Sequence, residues 1–579
     1  MKNIKQISLM LIILVTFFSC QKEELDDLST PENVSSINNN NTIASRISAS
    51  LPGNAEQGAM LHAHTWPFDA IERAIPQIAN AGFNSVQVSP VNKTKGNSPW
   101  WILYQPCDLN IGNVVLGNED QFRRMCQTAE NYGVKIIVDA VLNHVADNGT
   151  SNTWSDQLDP ALKRGEYFHW NGSMNNFQDR WQLTQQDLLG LPDWNTQRSD
   201  VQQLHINFLH KCIDAGADGF RFDAAKHMET SGGEDGNWRG NYWENIMGSI
   251  NSRGNLYNFG EVLPDVADNE EQYLRYYDIT AHGYGRALRA AVRNSDATGV
   301  RDIWHGNRTL SPDKSLVYVE NHDDYEHNDD NSRSLNTWQR KMGYAIAAAR
   351  AGVTPRLLDR PGSEDVWKDL DVALINSFHN AMVRQNEYLR NPRRETLVVD
   401  RGNEGTAILN LGGEFNISTQ TNLRSGTYSG EGGTFNVSGG TLTGNVKGGA
   451  IVVLYNNSSY GNNNTGNGGG NNNGDNGNPG NGGDNGDTGG GNGNTTTIYA
   501  NIDVGWGNSL FIRGNTSPLN WNSGIQMTNV NSNTWKWEIQ SIPQGQNFEF
   551  KVLINDNNWS SGSNFSGKGG ETITINPNF

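Results

Sequence analysis

The stretch Gly216-Ala-Asp-Gly-Phe-Arg-Phe-Asp-Ala-Ala-Lys-His227 decides how this 579-residue chain is read. Its middle, Gly219-Phe-Arg-Phe-Asp223, is a short bulky run of the kind that forms a strand buried on both faces. It ends on a carboxylate, and Arg221, two residues earlier, projects to the same side. Three more segments repeat this plan in order: Lys135 to Val141, which contains Asp139 and runs on into Asn143-His144; residues 256–261, ending on Glu261; and residues 316–321, followed by His322-Asp323. Amphipathic stretches such as 201–215 and 338–351 lie between them, so strands alternate with helices and the sheet is expected to be parallel. In a (β/α)8 TIM barrel all strands aim their C-terminal ends at one face. Asp139, Asp223, Glu261 and Asp323 would then meet in one pocket.

Carboxylates crowded into a pocket repel, which raises the pKa of one member and leaves its neighbour ionised. That is the equipment for cutting a glycosidic bond with a nucleophile on one face and a proton donor at the leaving oxygen. Arg221 is expected to keep Asp223 charged, which makes Asp223 the nucleophile and Glu261 the acid/base.

Together the four segments resemble the conserved regions of the α-amylases, glycoside hydrolase family 13, over about residues 58–455. The likeness is nearest to the saccharifying bacterial α-amylases, through Leu103-Tyr-Gln105-Pro, Asp179-Arg-Trp, Leu188-Leu-Gly-Leu-Pro-Asp-Trp-Asn-Thr-Gln197 and the 216–227 stretch. The resemblance implies that Asp223 attacks the anomeric carbon, Glu261 protonates the glycosidic oxygen and Asp323 grips sugar hydroxyls. It also implies that His144, His322 and Gln105 bind the sugar at the cleaved bond, with Arg221 beside them and Lys226 and His227 on the leaving-group side. Where the family stacks a Tyr on the sugar, this reading places Trp101, whose larger face would preserve stacking.

By the same resemblance Asn143, Asp193 and the main-chain carbonyls of Thr184 and His227 hold calcium, and oxygen donors from separated segments suit a hard cation. Arg221, Asn321 and Arg356 match the places that hold chloride in chloride-activated members. The alternative for Arg356 is an ion pair with a barrel acid.

Lys and Arg total 44 against 62 Asp and Glu, a net charge of −18, which argues against nucleic acid as partner. A neutral polysaccharide needs flat apolar surfaces instead, and 17 Trp supply them. Lys2 and Lys5, an apolar stretch and Ser19-Cys20 read as a signal peptide over residues 1–20, too short to span a membrane. Ser-Cys resembles the end of a lipobox, and the acidic residues after it resemble a surface-export tag. The expectation is therefore a lipid anchor through Cys20 at the cell surface, on the outer membrane, the alternative being plain secretion. Cys107, Cys126 and Cys212 are expected to be buried free thiols.

The expected organisation is a polar tether over 21–51, the barrel over 52–394 with an irregular insertion at about 145–196, a β-sandwich over 395–456, a Gly/Asn-rich linker over 457–497 and a last β-sandwich over 498–579. That last segment resembles starch-binding modules of carbohydrate-binding family 20, which would make Trp521 and Trp559 the sugar-stacking positions and put at least one of Trp535 and Trp537 in the core. The resulting expectation is a monomeric, exported, calcium-dependent enzyme, with chloride as a second possible ion, that hydrolyses internal α-1,4-glucosidic bonds of starch with retention. The alternatives are a cyclodextrin- or pullulan-cleaving or transglycosylating enzyme of the same fold, and a non-catalytic surface protein that binds starch.

Overall fold

A computed structural model describes residues 51–455, except 265–269, 307 and 363–364, and 496–579, except 503, 505–507, 518, 523, 532–533 and 540–541. The expected signal peptide, Cys20 and the tether lie outside the described residues, as does the linker apart from its last two positions. The chain divides into two compact units, residues 1–464 and 465–579.

In the first unit eight parallel strands close into a barrel: β1 Ala59–Ala63, β2 Phe83–Val88, β3 Lys135–Val141, β4 Gly219–Asp223, β5 Tyr257–Gly260, β6 Asp278–Thr280, β7 Ser315–Tyr318 and β8 Thr354–Leu358. Each strand pairs with its neighbours in sequence, and β8 pairs with β1. Nearly every strand residue is buried, as two covered faces require. The surrounding helices include α1 Phe68–Asn80, α2 Glu119–Asn131, α3 Ser199–Asp214, α4 Tyr242–Asn251, α5 His282–Asn294, α6 Thr337–Ala349 and α7 Leu370–Ala381. Local chemistry fixes several helix starts: Asn118 opens α2 and Asn336 opens α6, each in a reciprocal capping box with a Gln three residues on. The apolar sides of these helices pack on the strands in one large core that includes Ile71, Ile75, Phe122, Phe208 and Ile346.

The insertion between β3 and α3 holds a small core of its own, in which Phe168 stacks on Trp194 at 4.4 Å between ring centroids. Two four-stranded antiparallel sheets follow the barrel, with a core including Val398, Phe435 and Val452. The first strand of this sandwich is Glu387–Arg393, so the sandwich begins before the expected boundary at 395. Cys107, Cys126 and Cys212 are free and buried. Among the described residues no helix is long and apolar enough to cross a membrane.

The second unit contains two β-sheets around a core of Ile498, Leu510, Trp535, Trp537, Phe548 and Val552 among others. Trp535 and Trp537 are therefore both core residues. Trp559 is 40% exposed, and its ring lies 6.3 Å from that of Trp521 at 33°. Arg513 braces the pair: its guanidinium sits 5.2 Å from the Trp559 ring and it donates to the Trp521 carbonyl at 3.1 Å.

Candidate active site

Strand register brings the acids together. Asp139 on β3 is level with Arg221 on β4, and Val141 is level with Asp223. Arg221 thus stands between acids from three strands: its Nη1 donates to Asp139 at 2.7 and 2.9 Å and to Asp223 Oδ1 at 2.7 Å, and its Nη2 lies 3.1 Å from Glu261 Oε2. Just past β4, Ala224 takes a left-handed conformation, φ 47°. Its N–H there donates to Glu261 Oε2 at 3.1 Å. Gly260, immediately before Glu261, has no room for a side chain, because a Cβ would come within 2.3 Å of the Tyr277 ring.

Burial pushes the carboxyl of Asp223 up to about 8, against the pull of Arg221 and with help from Glu261 and Asp139. Arg221 pulls Asp223 towards the charged form, as expected from the sequence, and burial pulls the other way. One guanidinium shared by the buried Asp139 and Asp223 and the half-buried Glu261 cannot offset the desolvation of them all. Asp139 is also raised by burial. A third of the Asp323 side chain is open, yet its depth below the surface and the nearby Glu261 push it well above the usual range. Asp139, Asp223 and Asp323 are coupled, so a proton held among them belongs to the set rather than to one carboxyl.

Glu261 and Asp323 face a cavity of about 530 Å³, lined also by His282, Arg286, Asn321 and His327. On the other side stands an aromatic wall. Tyr104 lies parallel to His322, 5.0 Å away at 6°, and its hydroxyl donates to Asp139 Oδ2 at 3.0 Å. His62, His64 and Trp100 close around His322 at 5.3, 5.2 and 5.7 Å. Burial lowers the pKa of His62 and His322 well below the ordinary value, so both rings are neutral and offer one donor and one acceptor each. Both ring nitrogens of His62, Nδ1 of His64 and of His322, and Oε1 of Gln105 are buried without a hydrogen-bond partner. Unmet buried polar atoms beside an acid cluster call for a ligand rich in hydroxyls.

Tyr104, His62 and His64 escaped the sequence reading, though Tyr104 stands inside the quoted Leu-Tyr-Gln-Pro run. His62 and His64 alternate at the end of β1, a period-two signal that was there to be used. Trp101, expected to stack on sugar, is 42% exposed. The aromatic face laid against the acids is that of Tyr104, because the turn of 3-10 helix over Trp100–Tyr104 carries Tyr104 inward. His144 uses Nε2 on the Tyr104 carbonyl at 2.9 Å, and its Nδ1 lies 3.5 Å from the Asn143 amide. Through Nε2 it holds the Tyr104 main chain in place.

The expected calcium ligands converge in part. The end of the Asn143 side chain lies 3.1 Å from the His227 carbonyl oxygen and 3.3 Å from Asp193 Oδ1. An amide nitrogen there donates to both, whereas an amide oxygen completes a ring of three acceptors that a cation satisfies. Asp193 is buried, which raises its pKa to about 7, and its Oδ2 is 2.7 Å from His169 Nδ1. The Thr184 carbonyl accepts from Gln185 Nε2 at 2.7 Å. Among the described residues no three His, Cys, Asp or Glu side chains cluster as metal ligands, and this donor set, with one carboxylate, does not require such a cluster.

Arg356 donates to Gln87 Oε1 at 2.6 Å, and Gln87 in turn donates to Asp139 at 3.2 Å. The alternative of a direct ion pair with a barrel acid is thereby corrected: the guanidinium reaches Asp139 only through Gln87, because it packs over the Tyr318 ring at 4.9 Å. Its buried Nε has no partner, which suits an anion. Arg221 is already engaged by three carboxylates. Asn321 Oδ1 accepts from the N–H of Asp324 at 2.7 Å and so caps the helix His322–His327.

Residues 68–283 match the alpha amylase catalytic domain, and residues 495–574 match the starch binding domain. The first unit is thus similar to the α-amylase catalytic domain of glycoside hydrolase family 13. The second is similar to the starch binding domain of carbohydrate-binding family 20. An alpha-amylase of Clostridium acetobutylicum is 46% identical over 426 residues, which cover 71% of this chain and 55% of that protein. One of Butyrivibrio fibrisolvens is 32% identical over 460 residues, covering 69% and 47%. The chain thus spans about half the length of the curated relatives it matches. The crystal structure of alpha-amylase I from Eisenia fetida shares the fold, with a TM-score of 0.58 at 23% identity over 70% of this chain and 98% of that one. Asp223, Glu261 and Asp323 lie at or just past the C-terminal ends of β4, β5 and β7, the face on which TIM barrels carry their active sites.

Proposed function

We propose that the chain hydrolyses internal α-1,4-glucosidic bonds of starch and related α-glucans with retention at the anomeric carbon. The observation that carries this reading is the seating of Asp223 and Glu261 on neighbouring nitrogens of one guanidinium, with unmet polar atoms of His62 and His322 near it. Neighbouring carboxylates suit double displacement, in which one attacks directly and leaves no room for a water. The mechanism draws on the ionised form of Asp223, which Arg221 favours and which gains population as pH rises: this carboxylate attacks the anomeric carbon while Glu261 passes its proton to the glycosidic oxygen. The leaving chain departs, water attacks the glycosyl ester with Glu261 as base, and the configuration is retained. Asp323 and His322 hold hydroxyls of the bound sugar. A time course of products from starch tests the reading: early release of mixed oligosaccharides with the α-anomer first supports it. Cyclic products or no reducing ends would overturn it.

The ion sites belong to the same proposal. Asn143, Asp193 and the carbonyls of His227 and Thr184 would hold calcium, which when bound supplies positive charge that ties the insertion to the barrel. Chelation is expected to lower both the thermal midpoint and activity, since a cation bound only by the folded chain stabilises it by mass action. Asp193→Ala should reproduce the effect without chelator. Unchanged melting of the stripped protein would remove the site.

Chloride would rest on Arg356, with Asn321 and Arg221 at its side. An anion beside the acid group disfavours further ionisation there, so chloride-free buffer should move the basic limb of the pH–rate profile to lower pH. An unchanged profile leaves Arg356 as a residue that positions Gln87.

We also read the chain as monomeric and exported, anchored through Cys20 or else secreted. Mass spectrometry of the mature N-terminus distinguishes those two forms. In the second unit Trp521 and Trp559 are the proposed stacking faces for insoluble starch. Deleting residues after 461 should leave cleavage of soluble oligosaccharides nearly unchanged and sharply reduce adsorption to granules. Equal adsorption by the truncated chain would make these tryptophans ordinary surface residues.

A further inference from the structure

An exposed aromatic residue at the rim of the site has no structural employment. Phe177, in the insertion, is 44% exposed and belongs to none of the hydrophobic cores of the described residues. A single exposed apolar ring is ordinary by itself; what sets Phe177 apart is that the side chains it meets stand on the turn that follows Asp223. Lys226 Nζ lies 5.7 Å from the Phe177 ring centroid, and the His227 ring meets it edge-on at 6.5 Å. Both residues stand three and four positions beyond Asp223, on the turn that leaves β4.

The ring is also held in place from below. Three residues on, Arg180 is buried and ion-paired with Asp235, and it donates to the Lys226 carbonyl at 2.6 Å. The Tyr273 hydroxyl donates to that same carbonyl at 3.0 Å. The segment that carries Phe177 and the turn that carries Lys226 are therefore pinned to each other, so the ring does not have to be ordered when a ligand arrives. The His227 ring stands at 82° to it and Lys226 Nζ lies over one face, while 44% of the residue stays open, which leaves an aromatic face to receive the apolar face of a pyranose ring.

We infer that Phe177 is a stacking platform for a glucosyl unit of the α-glucan chain lying outside the bond-cleaving position, and thereby sets how chain length affects cleavage. This inference rests on the proposed glucan hydrolysis. Lys226 would meet hydroxyls of the same unit, and the pinned segment would fix the register of the bound chain.

The test compares Phe177→Ala, Phe177→Tyr and the wild-type chain on maltooligosaccharides from maltotetraose to maltoheptaose and on soluble starch. Phe177→Ala should lower kcat/KM about threefold to tenfold on the longer substrates, mainly through KM, with little change on the shortest. It should also move the preferred cleavage position within maltoheptaose, and Phe177→Tyr should restore both properties. A loss equal at every chain length, or an unshifted cleavage position, would overturn the inference even with KM altered. Wild-type protein that releases no sugars from any of these substrates would instead overturn the proposed hydrolysis itself, so the two failures are distinguishable.

Discussion

Replacing Asp223 by Asn or Glu261 by Gln is expected to lower turnover on soluble starch by at least about a thousandfold while leaving the fold nearly intact. Each change removes a charge or a proton and almost no volume, so the packing around Gly260 and Ala224 has no reason to shift. The contacts with Arg221 survive in part, because an amide oxygen still accepts from a guanidinium. Circular dichroism and granule adsorption should match the wild type while reducing-sugar release disappears. Residual turnover above about a thousandth of wild type, free of contaminating activity, would assign the wrong residues to these steps.

Arg221→Gln should carry the largest stability cost of any single change at the site. The guanidinium is 3% exposed and serves Asp139, Asp223 and Glu261 at once. Removing one partner from a buried ionic group costs about 3–5 kcal/mol when the remaining charges cannot find another. The cost depends on pH with a definite sign. Asp223 titrates at about 8 in the folded chain, well above the value of about 3.9 for an unfolded Asp. Between those values the folded chain keeps a proton that the unfolded chain has released, so this group's contribution to stability is present at low pH and fades as pH rises. Without Arg221 the carboxyls of Asp139 and Asp223, whose charged forms it favours, titrate higher still, and the loss of stability runs on to higher pH. Urea unfolding of Arg221→Gln and wild type should therefore differ least near pH 5 and most above pH 8. A difference that is constant across this range would mean that the variant loses packing rather than charge compensation.

The barrel and its acids were legible for one reason: both depend on short-range patterns. A bulky run such as Gly219–Asp223 declares a strand buried on two faces, and a carboxylate at its end declares which rim it lines. The alternation with helices then made the sheet parallel, and a parallel closed sheet gathers Asp139, Asp223, Glu261 and Asp323 without further information. The capping boxes at Asn118 and Asn336 are equally local. Resemblance, rather than pattern, supplied the ion ligands, because Asn143, Thr184, Asp193 and His227 come from separate segments and no spacing rule joins them.

Other features exist only in three dimensions. That Arg221 is divided among three acids, and so leaves Asp223 near 8, follows from strand register and burial, neither of which a residue two positions away can reveal. That Tyr104 rather than Trp101 faces the acids is set by a turn of 3-10 helix, whose neighbouring positions point in different directions. Arg356 reaches Asp139 through Gln87 because β8 and β2 both flank β1 in the closed barrel, and closure is a property of the whole sheet. Phe177 meets Lys226 across 49 residues of chain because Arg180 is buried against the far side of the same turn. The sequence by itself determined which elements form and which acids they carry, since those rest on periodicity and local chemistry. The tertiary structure alone decided which partner each charged or aromatic side chain meets, since desolvation and contact are summed over segments that the chain brings together only on folding.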